Sequence, residues 1–209
     1  MSVVAVVDYG MGNLRSVAKA IEHVAAGQRV VITADPAEVA AAERVVVPGQ
    51  GAMADCMQQL AACGLRQAVV AAAAEKPFLG ICIGLQMLFE HSEEGDTDGL
   101  GILPGRVRRF PAARTVAVGL KVPHMGWNEV MQSRPHPLWQ GIADGSRFYF
   151  VHSYFVEPTQ PALEAAATGY GLPFTSAVAR ANIFATQFHP EKSAHAGLQL
   201  LANFIRWQP

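Results

Sequence analysis

The sequence predicts an α/β protein: a mostly parallel central sheet with helices on both faces, plus added β-strands in the second half. Three observations carry this. In the first half, strand-length β-branched runs alternate with segments of helical period, as in a doubly wound sheet. From about residue 100 the helical segments give way to closely spaced strand patterns broken by Gly and Pro. The chain then closes on one amphipathic helix. No repeat, low-complexity linker or break in composition divides the 209 residues, so 1–209 reads as a single domain.

Taken in order, "VVAVV" (3–7) is a buried strand, and "NLRSVAKAIEHVAA" sets Leu14, Val17, Ile21 and Val24 on one helical face. "QRVVI" (28–32) and "RVVVP" (44–48) are strands separated by an Ala-rich turn, "DPAEVAAAE". Two helical segments lie between about 52 and 75, then the strand "FLGI" and a helix from near Gly84. Beyond residue 100, "GRVRRFP", "TVAVGLKVP", "SRFYFVHSYFV", "ALEAAATGYG" and "FTSAVARANIFATQF" read as strands. In "AHAGLQLLANFIRW", Leu198, Leu201 and Ile205 mark the final helix. Ligand sites in such sheets lie beyond the carboxyl ends of the strands.

Composition removes several classes of function. The chain is 51% hydrophobic, yet no apolar run reaches the ~18–20 residues of a membrane span. No basic segment precedes the first strand, so a signal peptide is not expected. A net charge of -1 gives no footprint for nucleic acid, and the one basic knot, "RVRRF" (106–110), reads as a solvated loop or strand edge. Three unpaired cysteines, Cys56, Cys63 and Cys82, suit a reducing compartment, with the cytoplasm as default. No metal-ligand spacing occurs, and neither a metal nor a cofactor is expected.

Cys82 stands apart from the other two, which read as small buried apolar residues of a helical stretch. It follows a strand and precedes a helix, with Gly80 and Gly84 two residues away on either side. That is the pattern of a nucleophile elbow, where a strained turn projects the nucleophile and only glycines leave room nearby. A helix N-terminus also offers free N–H groups to a developing oxyanion. A thiol nucleophile needs a base, and the base an orienting group. In "ATQFHPEKS", His189 and Glu191 flank one rigid proline at the end of an alternating run, where the elbow also lies. Cys82, His189 and Glu191 form a coherent triad.

The motifs "GICIGLQ", "PGQGA" and "FHPEKS" together resemble the triad-type (class I) glutamine amidotransferases, whose fold is flavodoxin-like. "DYGMGNLRSV", "VPHMGWNEV", "FYFVHSYF" and "FHPEKSAHAGLQLLANF" resemble, more narrowly, the glutaminase subunits of imidazole glycerol phosphate synthase in histidine biosynthesis. The likeness runs in order from Asp8 to Phe204.

The resemblance implies that Cys82 attacks the side-chain amide of L-glutamine, releasing ammonia and leaving a γ-glutamyl thioester for water. It makes His189 the general base and acid, and Glu191 its orienter. Ile83 N–H supplies one oxyanion donor and the loop of Gly49, Gln50 and Gly51 the second, through a peptide that rotates. The commonest family pattern has valine where this chain has Gln50, whose side chain can hydrogen-bond locally and bias that rotation. Gln86 matches the glutamine-binding position, pairing with the substrate's α-amino or carboxylate group. Ser153 and Tyr154 meet its amino-acid head, although both also suit plain strand residues. The implied partner is a separate (β/α)₈ cyclase subunit that receives the ammonia. Asn13 and Trp127 fall in segments that resemble the docking face, with Trp127 as anchor or core tryptophan, while Lys192 bridges to the partner or is a solvated lysine. Amidotransferase subunits of other synthases, and a free-standing γ-glutamyl hydrolase of the same fold, are the alternatives.

Overall fold

The computed structural model describes residues 2–25, 27–116 and 119–209. Its first half runs β1 (Val3–Val7), α1 (Leu14–Val24), β2 (Arg29–Thr33), α2 (Pro36–Ala41), β3 (Arg44–Gly49), α3 (Met53–Ala62), α4 (Arg66–Glu75) and β4 (Phe78–Cys82). Then follow α5 (Ile83–Gln86), β5 (Phe89–Ser92), β6 (Thr97–Asp98), β7 (Leu103–Arg109), α6 (Ala112–Val116), β8 (His124–Glu129) and β9 (Met131–Gln132). The chain ends with β10 (Arg147–His152), β11 (Tyr154–Pro158), β12 (Glu164–Gly169), β13 (Pro173–Arg180), β14 (Ile183–Thr186) and α7 (Ala194–Arg206).

A twelve-stranded sheet runs in the order β2-β1-β3-β4-β14-β13-β11-β7-β5-β6, with β12 and β9 branching from β13. Its first five strands are parallel, and every residue of β3 and β4 is buried, as strands covered on both faces require. Right-handed crossovers put α1 on one face and α2 to α4 on the other, since the chain moves outward from β1 and then back across it. Accordingly α1 packs on α7, and α2 on α4. In α7, Leu200, Leu201, Phe204 and Ile205 form the buried stripe. The added strands β13 and β11 are antiparallel to their neighbours, β7 is antiparallel to β11 but parallel to β5, and β8 pairs with β10 in a separate ribbon.

Several local expectations are corrected. The Ala-rich stretch after residue 35 is the helix α2, because Asp35 Oδ1 accepts from Ala37 N at 2.8 Å and Pro36 opens the first turn. The helix from Gly84 stops after one turn, and Phe89–Ser92 instead pairs with β7. "TVAVGLKVP" is no strand where it is described: Thr115 belongs to α6, its N–H turned back onto Pro111 O at 3.2 Å. Residues 117–118 lie outside the described residues, and 119–123 are irregular. "SRFYFVHSYFV" breaks at Ser153 into strands of two different sheets. These are places where partner strands and caps override the local pattern.

Candidate active site

Cys82 ends β4 with φ 56° and ψ −108°, a conformation that costs a non-glycine residue about 1–3 kcal/mol. Strand pairing on both sides holds it there: Gly49 of β3 lies level with Cys82, and Thr186 of β14 with Ile81. The flanking glycines are needed for close approach. A Cβ on Gly80 would stand 2.7 Å from Gly84 O, one on Gly49 2.6 Å from Ile83 Cβ, and one on Gly84 would collide with Val47 O. Ile83 opens the helical turn, where a backbone N–H has no intrahelical acceptor.

The parallel register of β14 with β4 delivers His189 to the same edge. Its N–H donates to Tyr149 O at 2.9 Å, and Ser193 Oγ donates to His189 O at 2.6 Å. Nδ1 lies 2.9 Å from Glu191 Oε1, with the His189 and Glu191 side chains only 5% and 1% exposed. A carboxylate can only accept, so Nδ1 carries the proton and Nε2 is the nitrogen left for Cys82. Nε2 makes no hydrogen bond, yet the sulfur is near enough to act on its charge. Burial pushes the imidazole down, but Cys82 and then Glu191 outweigh it, and His189 is pushed up to about 10.

A cavity of about 230 Å³ opens over the sulfur, lined by Gln50, Gly51, Cys82, Ile83, Gln86, Ser153, Tyr154 and His189, together with Glu94, Pro123, Val151 and His152. Glu191 stands behind His189, and Gly49 beneath the elbow, outside that lining. Gln86 Nε2 donates to Tyr154 O at 3.1 Å and to Gln187 Oε1 at 3.0 Å, which uses both of its N–H groups. Its Oε1 is buried without a partner. Gln86 therefore offers a substrate an acceptor and no donor. Among the described residues, no three His, Cys, Asp or Glu side chains stand together as a metal ion would need.

The loop of residues 48–51 is tied to the first loop of the chain. Tyr9 Oη donates to Pro48 O at 2.7 Å, and Gly12 packs against the backbone of Gly49. Gln50 O accepts from Cys56 Sγ at 3.5 Å. Burial pushes the Cys56 thiol up to about 11, so it keeps the proton it donates. Cys56 is therefore buried as expected but not inert. Cys63 corrects its expectation: it is exposed, at the end of α3, where no sheet or helix covers it.

Of the three residues read as docking groups, two share a surface. Trp127 is 44% exposed and meets Tyr149 edge-on at 6.3 Å, while Lys192 Nζ sits 5.9 Å from the centre of the Tyr149 ring. Met125, on the same strand, is 63% exposed. Asn13 precedes α1, half-buried, with its side chain capping nothing. The β8–β10 ribbon joins this surface to the triad, because Tyr149 O is the acceptor for His189 N–H.

Four residues of the site escape a sequence reading. Gln187 reaches the sulfur, Glu94 and His152 line the cavity, and His124 is the buried partner of His152. Gln187 stands two residues before His189, a position that alternation places on the same side of the chain, and this was the available signal.

Residues 5–207 match the family described as glutamine amidotransferase class-I. The chain belongs to this family. It is 72% identical over 212 residues to the imidazole glycerol phosphate synthase subunit HisH of Aromatoleum aromaticum, with all of both chains covered. It is 68% identical over 209 residues to the HisH subunit of Dechloromonas aromatica, covering 99% of this chain and 97% of that one. Among solved structures, a putative GMP synthase component from Thermoplasma acidophilum superposes with a TM-score of 0.73 at 19% identity, over 99% of this chain and 93% of the other. PurLQS from Thermotoga maritima gives 0.73 at 16% identity, over 98% of each. These two show the class I amidotransferase fold alone. The likeness to HisH subunits, by contrast, holds from end to end.

Proposed function

We propose that this chain is the glutaminase subunit of an imidazole glycerol phosphate synthase, acting as one domain (1–209) in the cytoplasm. The observation that carries the chemistry is the convergence of Cys82, His189 and Glu191 at one edge of the sheet, beneath a cavity sized for a small molecule. Cys82 gives its proton to His189 Nε2, and Sγ bonds to the glutamine Cδ as the carbonyl π pair moves onto oxygen, toward Ile83 N–H and a donor from the Gly49–Gln50–Gly51 loop. On collapse the C–N bond breaks, and nitrogen leaves as ammonia with a proton from His189 Nε2. A water then gives its proton to Nε2 and attacks the thioester, releasing glutamate and the Cys82 sulfur. Gln86 Oε1, an acceptor only, takes the substrate's α-ammonium group rather than its carboxylate, with Ser153 and Tyr154 beside it.

Ammonia reaches its acceptor unprotonated when a cyclase subunit covers the exit. The Met125–Trp127 strand, with Lys192, supports docking of such a separate chain, because exposed aromatic and Met side chains in a cluster mark interface cores, and Asn13 is proposed to meet it from the first loop. No helix among the described residues is long and apolar enough to cross a membrane. The test is ammonia release from glutamine by the chain alone, with the cyclase, and with the cyclase and its nucleotide ligand. Strong stimulation by the liganded cyclase is expected. Full activity of the isolated chain, unchanged by the cyclase, would favour a free-standing γ-glutamyl hydrolase.

A further inference from the structure

Besides His189 and the loop, Cys82 Sγ faces Val151 O at 4.0 Å and the side chain of Gln187. Gln187 follows β14, is fully buried, and has its backbone pinned by Gln187 N–H donating to Ser176 O at 2.9 Å. Its Nε2 lies 3.7 Å from Cys82 Sγ, within hydrogen-bond range for sulfur. Carboxamide oxygen and nitrogen are alike in shape, so the direction of this contact must be argued from its partners. Tyr154 O is a carbonyl and can only accept, which requires Gln86 to present Nε2 to it. The same Nε2 also donates to Gln187, which must therefore answer with Oε1. That leaves Gln187 one orientation, with its N–H groups turned to the sulfur. One backbone carbonyl thus sets the polarity of the whole chain Tyr154–Gln86–Gln187–Cys82.

We propose that Gln187 is a further catalytic residue, whose carboxamide N–H donates to Cys82 Sγ and stabilises the sulfur when it is anionic. The inference rests on the glutaminase reading above. The donor acts in two steps of that reaction. It favours the anionic sulfur that attacks the amide carbon, and it receives negative charge again when the S–C bond of the thioester breaks and its electron pair returns to sulfur. No proton moves to or from Gln187, which only accompanies the charge. Gln86 has a second duty besides the substrate: it holds Gln187 in register.

Gln187→Met fills the same space without a donor, and Gln187→Glu keeps an acceptor for Gln86 while offering the sulfur none. Each is assayed with the liganded cyclase, on protein that binds the cyclase as the wild type does. Alkylation of the Cys82 peptide by iodoacetamide is followed in parallel by mass spectrometry, which excludes signal from exposed Cys63. A hydrogen bond to a charged group sets the expected losses, about tenfold to a hundredfold in both kcat and alkylation rate, with KM unchanged. Wild-type kcat and alkylation in either variant, or a rise in KM alone, would overturn the assignment. Cys82→Ala is run alongside. Ammonia release by that variant would overturn the glutaminase reading, whereas a dead Cys82→Ala beside fully active Gln187 variants overturns only the role of Gln187.

Discussion

His124 Nδ1 lies 3.0 Å from His152 Nε2, and the direction of that bond follows from its neighbours. His152 Nδ1 meets Tyr154 O at 2.8 Å and so must be the protonated nitrogen. His152 Nε2 is then an acceptor, His124 Nδ1 the donor, and His124 Nε2 accepts from Asn128 Nδ2 at 3.3 Å. Every polar atom of the pair is satisfied with both rings neutral, among Phe110, Phe150 and Tyr170. Burial pushes His124 down to about 4 and His152 to about 3. The unfolded chain therefore binds protons that the folded one refuses. Stability present above pH ~6.5 is lost as pH falls through about 4, by on the order of 3 kcal/mol per ring.

Urea midpoints measured from pH 7 to 4.5 should fall more steeply for the wild type than for His124→Phe. At pH 7 the variant should be less stable by about 1–3 kcal/mol, because His152 Nε2 loses its partner. Parallel acid limbs in the two proteins would contradict neutral burial of His124.

For the triad, Cys82→Ala, Cys82→Ser and His189→Ala should each lower kcat by several orders of magnitude while cyclase binding persists, and Glu191→Gln should lose less. The charge on His189 can be read separately. Its stability contribution is fully present below pH ~6.5, where both states are protonated, and is lost as pH rises through about 10. In Cys82→Ala the opposing pull of the sulfur is gone and burial gains weight. Histidine ¹⁵N resonances should then show His189 deprotonating well below 10, and an unshifted titration would separate His189 from Cys82.

The oxyanion loop makes a prediction about basal activity. Gly51 sits at φ +103°, which proline cannot adopt, so Gly51→Pro both distorts the loop and removes an N–H. A missing oxyanion donor costs about 100–1,000-fold in kcat, and the liganded cyclase should fail to restore that loss in Gly51→Pro. Cys82 should remain open to alkylation. Cys56→Ala releases Gln50 O and should raise glutaminase activity of the isolated chain. Equal basal rates in Cys56→Ala and wild type would show that the thiol does not restrain the loop.

Trp127 supplies the largest exposed aromatic surface of the β8–β10 ribbon. Trp127→Ala should weaken cyclase binding by about 2 kcal/mol or more, as buried aromatic anchors do, measured by titration calorimetry. Binding as tight as wild type would place the docking face elsewhere.

Much of this was written along the chain. The apolar runs at 3–7, 44–48 and 78–81 form strands because their apolar content demands burial on both faces. Gly80 and Gly84 around Cys82, and Pro190 between His189 and Glu191, are local requirements of an elbow and of a held carboxylate, so they are legible without neighbours. What tertiary structure alone decided involves residues distant in sequence. Gln187 faces Cys82 only because β14 lies beside β4 with Thr186 level with Ile81, and His124 meets His152 only through the β8–β10 register. Phe89–Ser92 became a strand instead of helix because β7 offered its backbone a partner. A hydrophobic period specifies which face of an element is buried, whereas the register between elements is set by pairing across the sheet.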